Sequence, residues 1–157
     1  MNETIRNQID TTIFADHLSA KNREALFSLA TRIQRDRGEY LFREGEFDKR
    51  VYLLLTGQVD LSMTVPGRGP QRILSVGPGE LIAWSSILDD GTMTCSAVCT
   101  KPMEGLAIDC DRLRPLTESN RDLGFEFMRM MAAALAKRLL ATRLQLLDLF
   151  QASVARR

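Results

Sequence analysis

At 157 residues the chain suits one domain and can bury roughly 70% of its unfolded surface without staples. Hydrophobic residues make up 45% and charged residues 26%, a globular balance that excludes disordered and collagen-like chains. With 21 basic and 20 acidic residues the net charge is +1, so no strong field draws the chain to nucleic acid or an anionic membrane.

The three cysteines, Cys95, Cys99 and Cys110, contain no Cys-x-x-Cys pair. Cys95 and Cys99, if they share a strand, lie roughly 13 Å apart, too far to bridge within it. Small buried thiols and a cytoplasmic location are expected. His17 is the sole histidine, which excludes a multi-histidine metal site within one chain. The N-terminus, MNETIRNQID, has no signal-type apolar core, and no window approaches the roughly eighteen apolar residues of a membrane span.

Ile5, Ile9, Ile13 and Phe14 fall at helical spacing. Ser19 offers an N-cap for a second helix carrying Leu26, Leu29, Ala30 and Ile33 and ending near Asp36, before Gly38. The N-terminal helices thus occupy about 4–35. From Gly38 the period changes to 2. Tyr40 to Phe42 reads as a short strand, Glu44-Gly45-Glu46 as a turn, and Val51 to Leu55 as a buried strand. Thr56-Gly57-Gln58 is expected to reverse the chain into a half-buried strand over Val59, Leu61, Met63 and Val65. Pro66 to Pro70 is a turn, followed by a strand Arg72 to Val76. Beyond the next segment, Met93 to Thr100 is predicted as a strand, broken at Lys101-Pro102, with a further strand at Gly105 to Asp109.

The stretch Gly79 to Ala97, GELIAWSSILDDGTMTCSA, stands apart. A glycine admits close backbone approach, and Glu80 and a short helix start at Ser85 and Ser86 follow. Those residues suit a cradle for a small anion or an ordinary bend between strands. From Asp122 the pattern is helical to about 155, with Phe125, Met128, Met131, Leu135, Leu139, Thr142, Leu146 and Leu149 in steps of three and four. Such a helix must bury its stripe, either across its own barrel or against a second copy in a two-fold coiled-coil seam. The seam is the expectation, a homodimer through the C-terminal helix. The fold class is mainly β with flanking helices: a double-stranded β-helix (jelly roll, cupin-like) over about 38–109, within one domain spanning 1–157, plus the long C-terminal dimerisation helix about 122–155.

The order helix, glycine-punctuated roll, Gly-Glu cassette, strand and long helix resembles the cyclic-nucleotide-binding domain of the catabolite activator protein family. The resemblance covers about 14–150. It is carried by GEYLFREGE (Gly38 to Glu46), VYLLLTGQVDL (Val51 to Leu61), ILSVGPGEL (Ile73 to Leu81), CSAV (Cys95 to Val98) and MRMMAAALAKRLLAT (Met128 to Thr142). It implies a cyclic nucleotide phosphate in the cassette against Gly79, Glu80 and Leu81, with Glu80 accepting a ribose hydroxyl. It implies an arginine-serine-alanine phosphate clamp at Cys95, Ser96 and Ala97, and Thr142 facing the base. Ligand binding would then reposition the long helix.

Cys95 stands where that resemblance asks for arginine. Two lost charge-assisted bonds of roughly 1.5–3 kcal/mol each would cost about two to four powers of ten in affinity. Cys95 is then a small buried residue or a redox-sensing thiol. Arg72 precedes the cassette, its direction open. Trp84, the sole tryptophan, plugs the pocket, stacks on an aromatic ligand or packs into the core. Asp89 and Asp90 with Gly91 form a solvated acidic turn.

Two functions follow. The first is a regulatory module sensing a small ligand, a cyclic nucleotide or another small anion, with a degenerate cassette and weak or absent cyclic AMP binding. The alternative is a dimerisation or docking scaffold with a plugged pocket and an unidentified protein partner. A DNA-binding transcription factor is not expected from this chain alone, because the helix runs to Arg157. With His17 alone, neither metal catalysis nor a nucleophile–base pair is expected, so the chain is read as no enzyme, with no cofactor and no metal.

Overall fold

The structure is a computed structural model, and it describes residues 16–88 and 90–154, with the side chains of 145 and 148–154 outside the description. The expected first helix and Asp89 therefore lie outside the described residues, as does the role of Leu149.

The elements run α1 (Ala20–Phe27), β1 (Ala30–Arg35), β2 (Tyr40–Phe42), β3 (Arg50–Val65), β4 (Gly69–Val76), β5 (Leu81–Ile82), α2 (Ser85–Leu88), β6 (Ser96–Asp109), α3 (Cys110–Ser119) and α4 (Arg121–Val154). One antiparallel sheet has the order β1-β6-β3-β4; β2 also pairs with β6, and β5 with β3. The roll is built on β3 and β6, which pair from Arg50↔Asp109 to Ser62↔Ser96.

The apolar run Val51 to Leu55 is continuous because both faces of β3 are covered. Val51, Leu53 and Leu55 face a cluster with Leu106, Ile108, Leu113, Leu123, Phe127 and Met130, which packs the helices against the sheet. Tyr52 and Leu54 point the other way, into the roll interior, with Phe42, Val59, Leu61, Met93, Ala97 and Met103.

Four expectations are corrected. Ser19 caps α1 as expected, its hydroxyl accepting from the Asn22 N–H at 3.4 Å, but the helix stops at Phe27. Ala30 to Arg35 is instead β1, registered from Ala30↔Ile108 to Arg35↔Met103. The spacing of Leu29, Ala30 and Ile33 fits a helix, but the open edge of β6 recruits the segment as a strand; pairing overrides local pattern.

Thr56-Gly57-Gln58 does not reverse the chain. β3 continues through it with register shifts between Leu54 and Val59. Gly57 has φ +88°, and a Cβ there would sit 2.4 Å from the Pro102 carbonyl oxygen, so the close approach of two bulged strands requires glycine. The same bulge absorbs Pro102, and β6 runs unbroken from Ser96 to Asp109.

Between 109 and 122, where no element is predicted, the chain forms α3. Asp109 caps it by accepting from the Asp111 N–H at 2.8 Å, and Leu113 anchors it in the core. Pro115 lies inside this helix, which is why composition alone hides it.

α4 has two apolar faces. Leu123, Phe127, Met130 and Met131 are buried against the roll. Phe125, Met128, Leu139 and Leu146 of the predicted stripe are exposed, as are Leu140, Leu144 and Leu147. The start of α4 is tied to α1: the Glu126 carboxylate accepts from the Ser19 N–H (2.9 Å) and the Asn22 amide (2.8 Å), whose oxygen accepts from Asn120 (3.1 Å). Asn22 is thus buried and satisfied.

Candidate functional site

The Gly-Glu stretch is a tight loop pinned to β3. Gly79, at φ +82°, donates its N–H to the Leu54 carbonyl at 2.8 Å, and the Leu54 N–H donates to the Glu80 carbonyl at 3.1 Å. Leu81 and Ile82 then pair with Leu53 and Tyr52. Ala83 takes a left-handed φ of +67°, a conformation that strains a residue with a Cβ, and turns the chain into α2. Nothing in the sequence signals that position, because alanine is not a turn residue.

A buried polar network seats α2. The Ser86 hydroxyl lies 2.7 Å from the Asp48 carbonyl and 3.0 Å from the Arg50 carbonyl. The Asp48 carboxylate accepts from Arg50 Nε at 2.8 Å and from the Tyr52 hydroxyl. Burial, with the Asp48 hydrogen bond behind it, pushes the Tyr52 phenol far above its ordinary range.

The expected clamp residues fall on the wall facing α2. Cys95 is half-buried and lines a cavity of about 30 Å³ with Phe42, Leu61, Ala83, Trp84, Ser85, Met93, Thr94 and Arg138. Burial raises the Cys95 thiol; Arg138 pulls it down and Glu44 adds to the rise. That net direction is opposite to the activation a redox-sensing thiol needs. Ser96 accepts the Glu44 N–H at 2.9 Å, and Ala97 is fully buried in the roll interior.

Glu80 turns back on its own loop, its carboxylate accepting from the Gly77 N–H at 2.8 Å. It lines a second, larger cavity of about 390 Å³ with His17, Gly79, Leu81, Ala134, Lys137 and Arg138. His17 Nδ1 is buried there without a hydrogen-bond partner among the described residues. Thr142 is exposed and donates to the Arg138 carbonyl at 2.9 Å, lining neither cavity. Arg72 points away as well, exposed and 3.6 Å from Asp60. Asp90 is exposed and is held below the usual carboxylate range by the Thr92 N–H, while Gly91 beside it is buried, so only the Asp90 end of the expected turn is solvated among the described residues.

The sequence reasoning missed Arg138. It enters from α4, with its guanidinium 4.4 Å from the Trp84 ring centroid and donating to the Leu81 carbonyl. Burial lowers its proton affinity, and Glu80 and Cys95 partly restore it. Cation–π contacts of this kind contribute about 0.5–2 kcal/mol, more as water is excluded. A signal existed: Arg138 lies four residues before Thr142, on the same helix face. Trp84 itself is half-buried, packing its other side against the helix-facing core.

The fold and this loop define the class. The family profile described as cyclic nucleotide-binding domain matches residues 32–120, and the chain belongs to that family. A cyclic AMP receptor protein of Thermus thermophilus is 33% identical over 125 residues, covering 76% of this chain and 53% of that protein. A CRP-like cAMP-activated global transcriptional regulator of Mycobacterium tuberculosis is 29% identical over 113 residues, covering 72% of this chain and 49% of that protein. The chain spans about half the length of these curated relatives. Among solved structures, a cyclic nucleotide-binding domain from Methylobacillus flagellatus superposes with a TM-score of 0.85 at 23% identity, covering 92% of this chain and 84% of that one. The catabolite activator protein of Thermus thermophilus gives 0.70 at 29% identity, covering 88% and 62%. No described helix is long and apolar enough to cross a membrane.

Proposed function

We propose that this domain is a cytoplasmic regulatory module that senses a small anion through an altered cassette, and that it binds cyclic AMP weakly or not at all as it stands. The cavity at Cys95 carries this reading. Its volume is about 30 Å³, room for one or two waters, whereas ligand pockets run to roughly 300 Å³ and more. Cys95, in the place of the family's arginine, offers no counter-charge to a phosphate. One oxygen of the Glu80 carboxylate is held by the Gly77 N–H, which turns the group back on its own loop.

The exposed leucines of α4, on the face away from the roll, support a homodimer through this helix. They present an unpartnered apolar stripe of the kind that two-fold helix seams bury. The closure of the cassette by Trp84 and Arg138 supports a second reading, a dimerisation or docking scaffold whose pocket stays shut.

Calorimetric titration with cyclic AMP and cyclic GMP at low salt tests the weak-binding reading. No heat with either nucleotide, alongside a folded dimer, is the expected result, and the ligand is then sought among other small anions or, on the scaffold reading, a protein partner. Binding in the micromolar range, about −8 kcal/mol, overturns it and means that another group replaces the lost arginine.

A further inference from the structure

We propose that the Trp84–Arg138 stack is a latch that divides one ligand-sized space into two, and that the cassette opens only when the Arg138 guanidinium leaves the indole face. This rests on the reading of the cassette as a site for a small anion. Arg138 is the sole residue common to the walls of the 30 Å³ and 390 Å³ cavities, so its side chain is the partition between them. Swinging it aside joins the space at Cys95 to a volume already within the range of small-molecule sites.

The way Arg138 is held suits a device that must release. Its guanidinium rests on two neutral groups, the Trp84 ring and the Leu81 carbonyl. Among the described residues no carboxylate is within ion-pair distance of it, although the residue is half-buried. A guanidinium that no described carboxylate touches directly, with Glu80 acting on it only at a distance, is satisfied better by an anion than by a carbonyl and a ring, because charge-assisted hydrogen bonds are about twice as strong as neutral ones. An arriving phosphate or carboxylate therefore competes for the guanidinium directly.

The latch also couples the site to the helix. α4 is anchored in the core through Met131, and beyond it the leucines at 139, 140, 144, 146 and 147 are exposed. Arg138 touches the cassette loop from this part of the helix, on Leu81 and Trp84. Its release frees that half from Leu81 and Trp84, so occupancy of the cassette biases the position of the helix.

Two measurements test the latch. In the first, without ligand, Trp84 is the sole tryptophan, so all indole emission reports on it. Arg138→Gln is expected to raise acrylamide quenching of that emission at least about twofold; unchanged quenching overturns the latch. In the second, cyclic AMP is titrated into Cys95→Arg and into the Cys95→Arg/Trp84→Leu double variant. A latch predicts binding about tenfold tighter in the double variant, roughly 1.4 kcal/mol. Equal binding shows that Trp84 bars nothing, and weaker binding shows that it stacks on the ligand; either overturns the proposal. If neither variant binds, the nucleotide reading falls, and the quenching result alone upholds or overturns the latch. Trp84→Phe, which keeps a weaker ring face, replaces Trp84→Leu if the double variant does not fold, with a smaller gain expected.

Discussion

The guanidinium carbon of Arg138 lies 4.4 Å above the Trp84 ring centroid, joining the long helix to the cassette loop through a cation and an aromatic face. The planarity of the guanidinium matters to this contact. A lysine in its place is a compact, strongly hydrated point charge that cannot stack and cannot reach the Leu81 carbonyl in the same geometry. Arg138→Lys is therefore expected to destabilise the fold by about 1 kcal/mol and shift Trp84 emission to the red. Urea unfolding followed by tryptophan fluorescence reads both quantities.

Cys95→Arg is expected to raise cyclic-nucleotide affinity at least about tenfold, by returning a charge-assisted clamp to the cassette. Without ligand it places a second cation beside Arg138, already within electrostatic range of Cys95. The variant should thus melt below the parent when empty and recover on adding nucleotide. A melting series with and without cyclic AMP tests this; a variant indifferent to nucleotide at millimolar levels removes the missing charge as the cause of weak binding.

Much of the fold was legible because it is written in local chemistry: the strand at Val59 and Leu61, both facing the roll interior, the cap at Ser19, and the glycine at 79 with its positive φ; the expected alternation stops there, since Met63 and Val65 at the strand's end are exposed. What failed depended on distant partners. Ala30 to Arg35 became a strand because β6 offers an edge, and Gly57 bulges because Pro102 lies against it. The site divides the same way. Gly79, Glu80 and Cys95, which sequence order named as candidates, line the two cavities, but Arg138, which lines both, comes from another element altogether. The Glu80 carboxylate turning to Gly77 is likewise a matter of rotamer, which sequence does not carry.

Gly57→Ala probes the bulge that replaced the expected reversal. The added methyl meets the Pro102 carbonyl at 2.4 Å and the Met103 backbone at 2.6 Å, and the φ of +88° already disfavours a side chain. Neither obstacle is the flexible end of a side chain. A loss of at least about 2 kcal/mol is expected from denaturant unfolding. A loss under about 0.5 kcal/mol would mean that β3 and β6 separate at that point without cost.

Glu126 gives a pH signature. Hydrogen bonds from the Asn22 amide and the Ser19 N–H hold its carboxyl below the ordinary carboxylate range. A depressed folded pKa contributes stability that is fully present above the unfolded value of about 4.3 and is lost as pH falls through the folded one. Glu126→Gln is therefore expected to melt lower than the parent at about pH 7, with the gap closing below about pH 4. The group is largely exposed to solvent screening, so the difference is small. A gap that widens in acid would contradict the sign.

The exposed face of α4 yields the last test. Leu139 and Leu146 lie one heptad apart, 53% and 50% exposed, in line with Phe125 and Met128 and opposite the buried Phe127 and Met130. Because the two faces are distinct, the outer one can be altered without touching the core. Leu139→Asp/Leu146→Asp should leave circular dichroism and thermal unfolding of the roll near the parent's while lowering the sedimentation mass from dimer to monomer. Truncation after Gly124 is a poorer probe, since it also removes Phe127, Met130 and Met131 from the core and should give insoluble protein. A parent protein that sediments as a monomer, or a double variant that remains a dimer, would remove the helix seam and return the leucines to the role of a docking face for another chain.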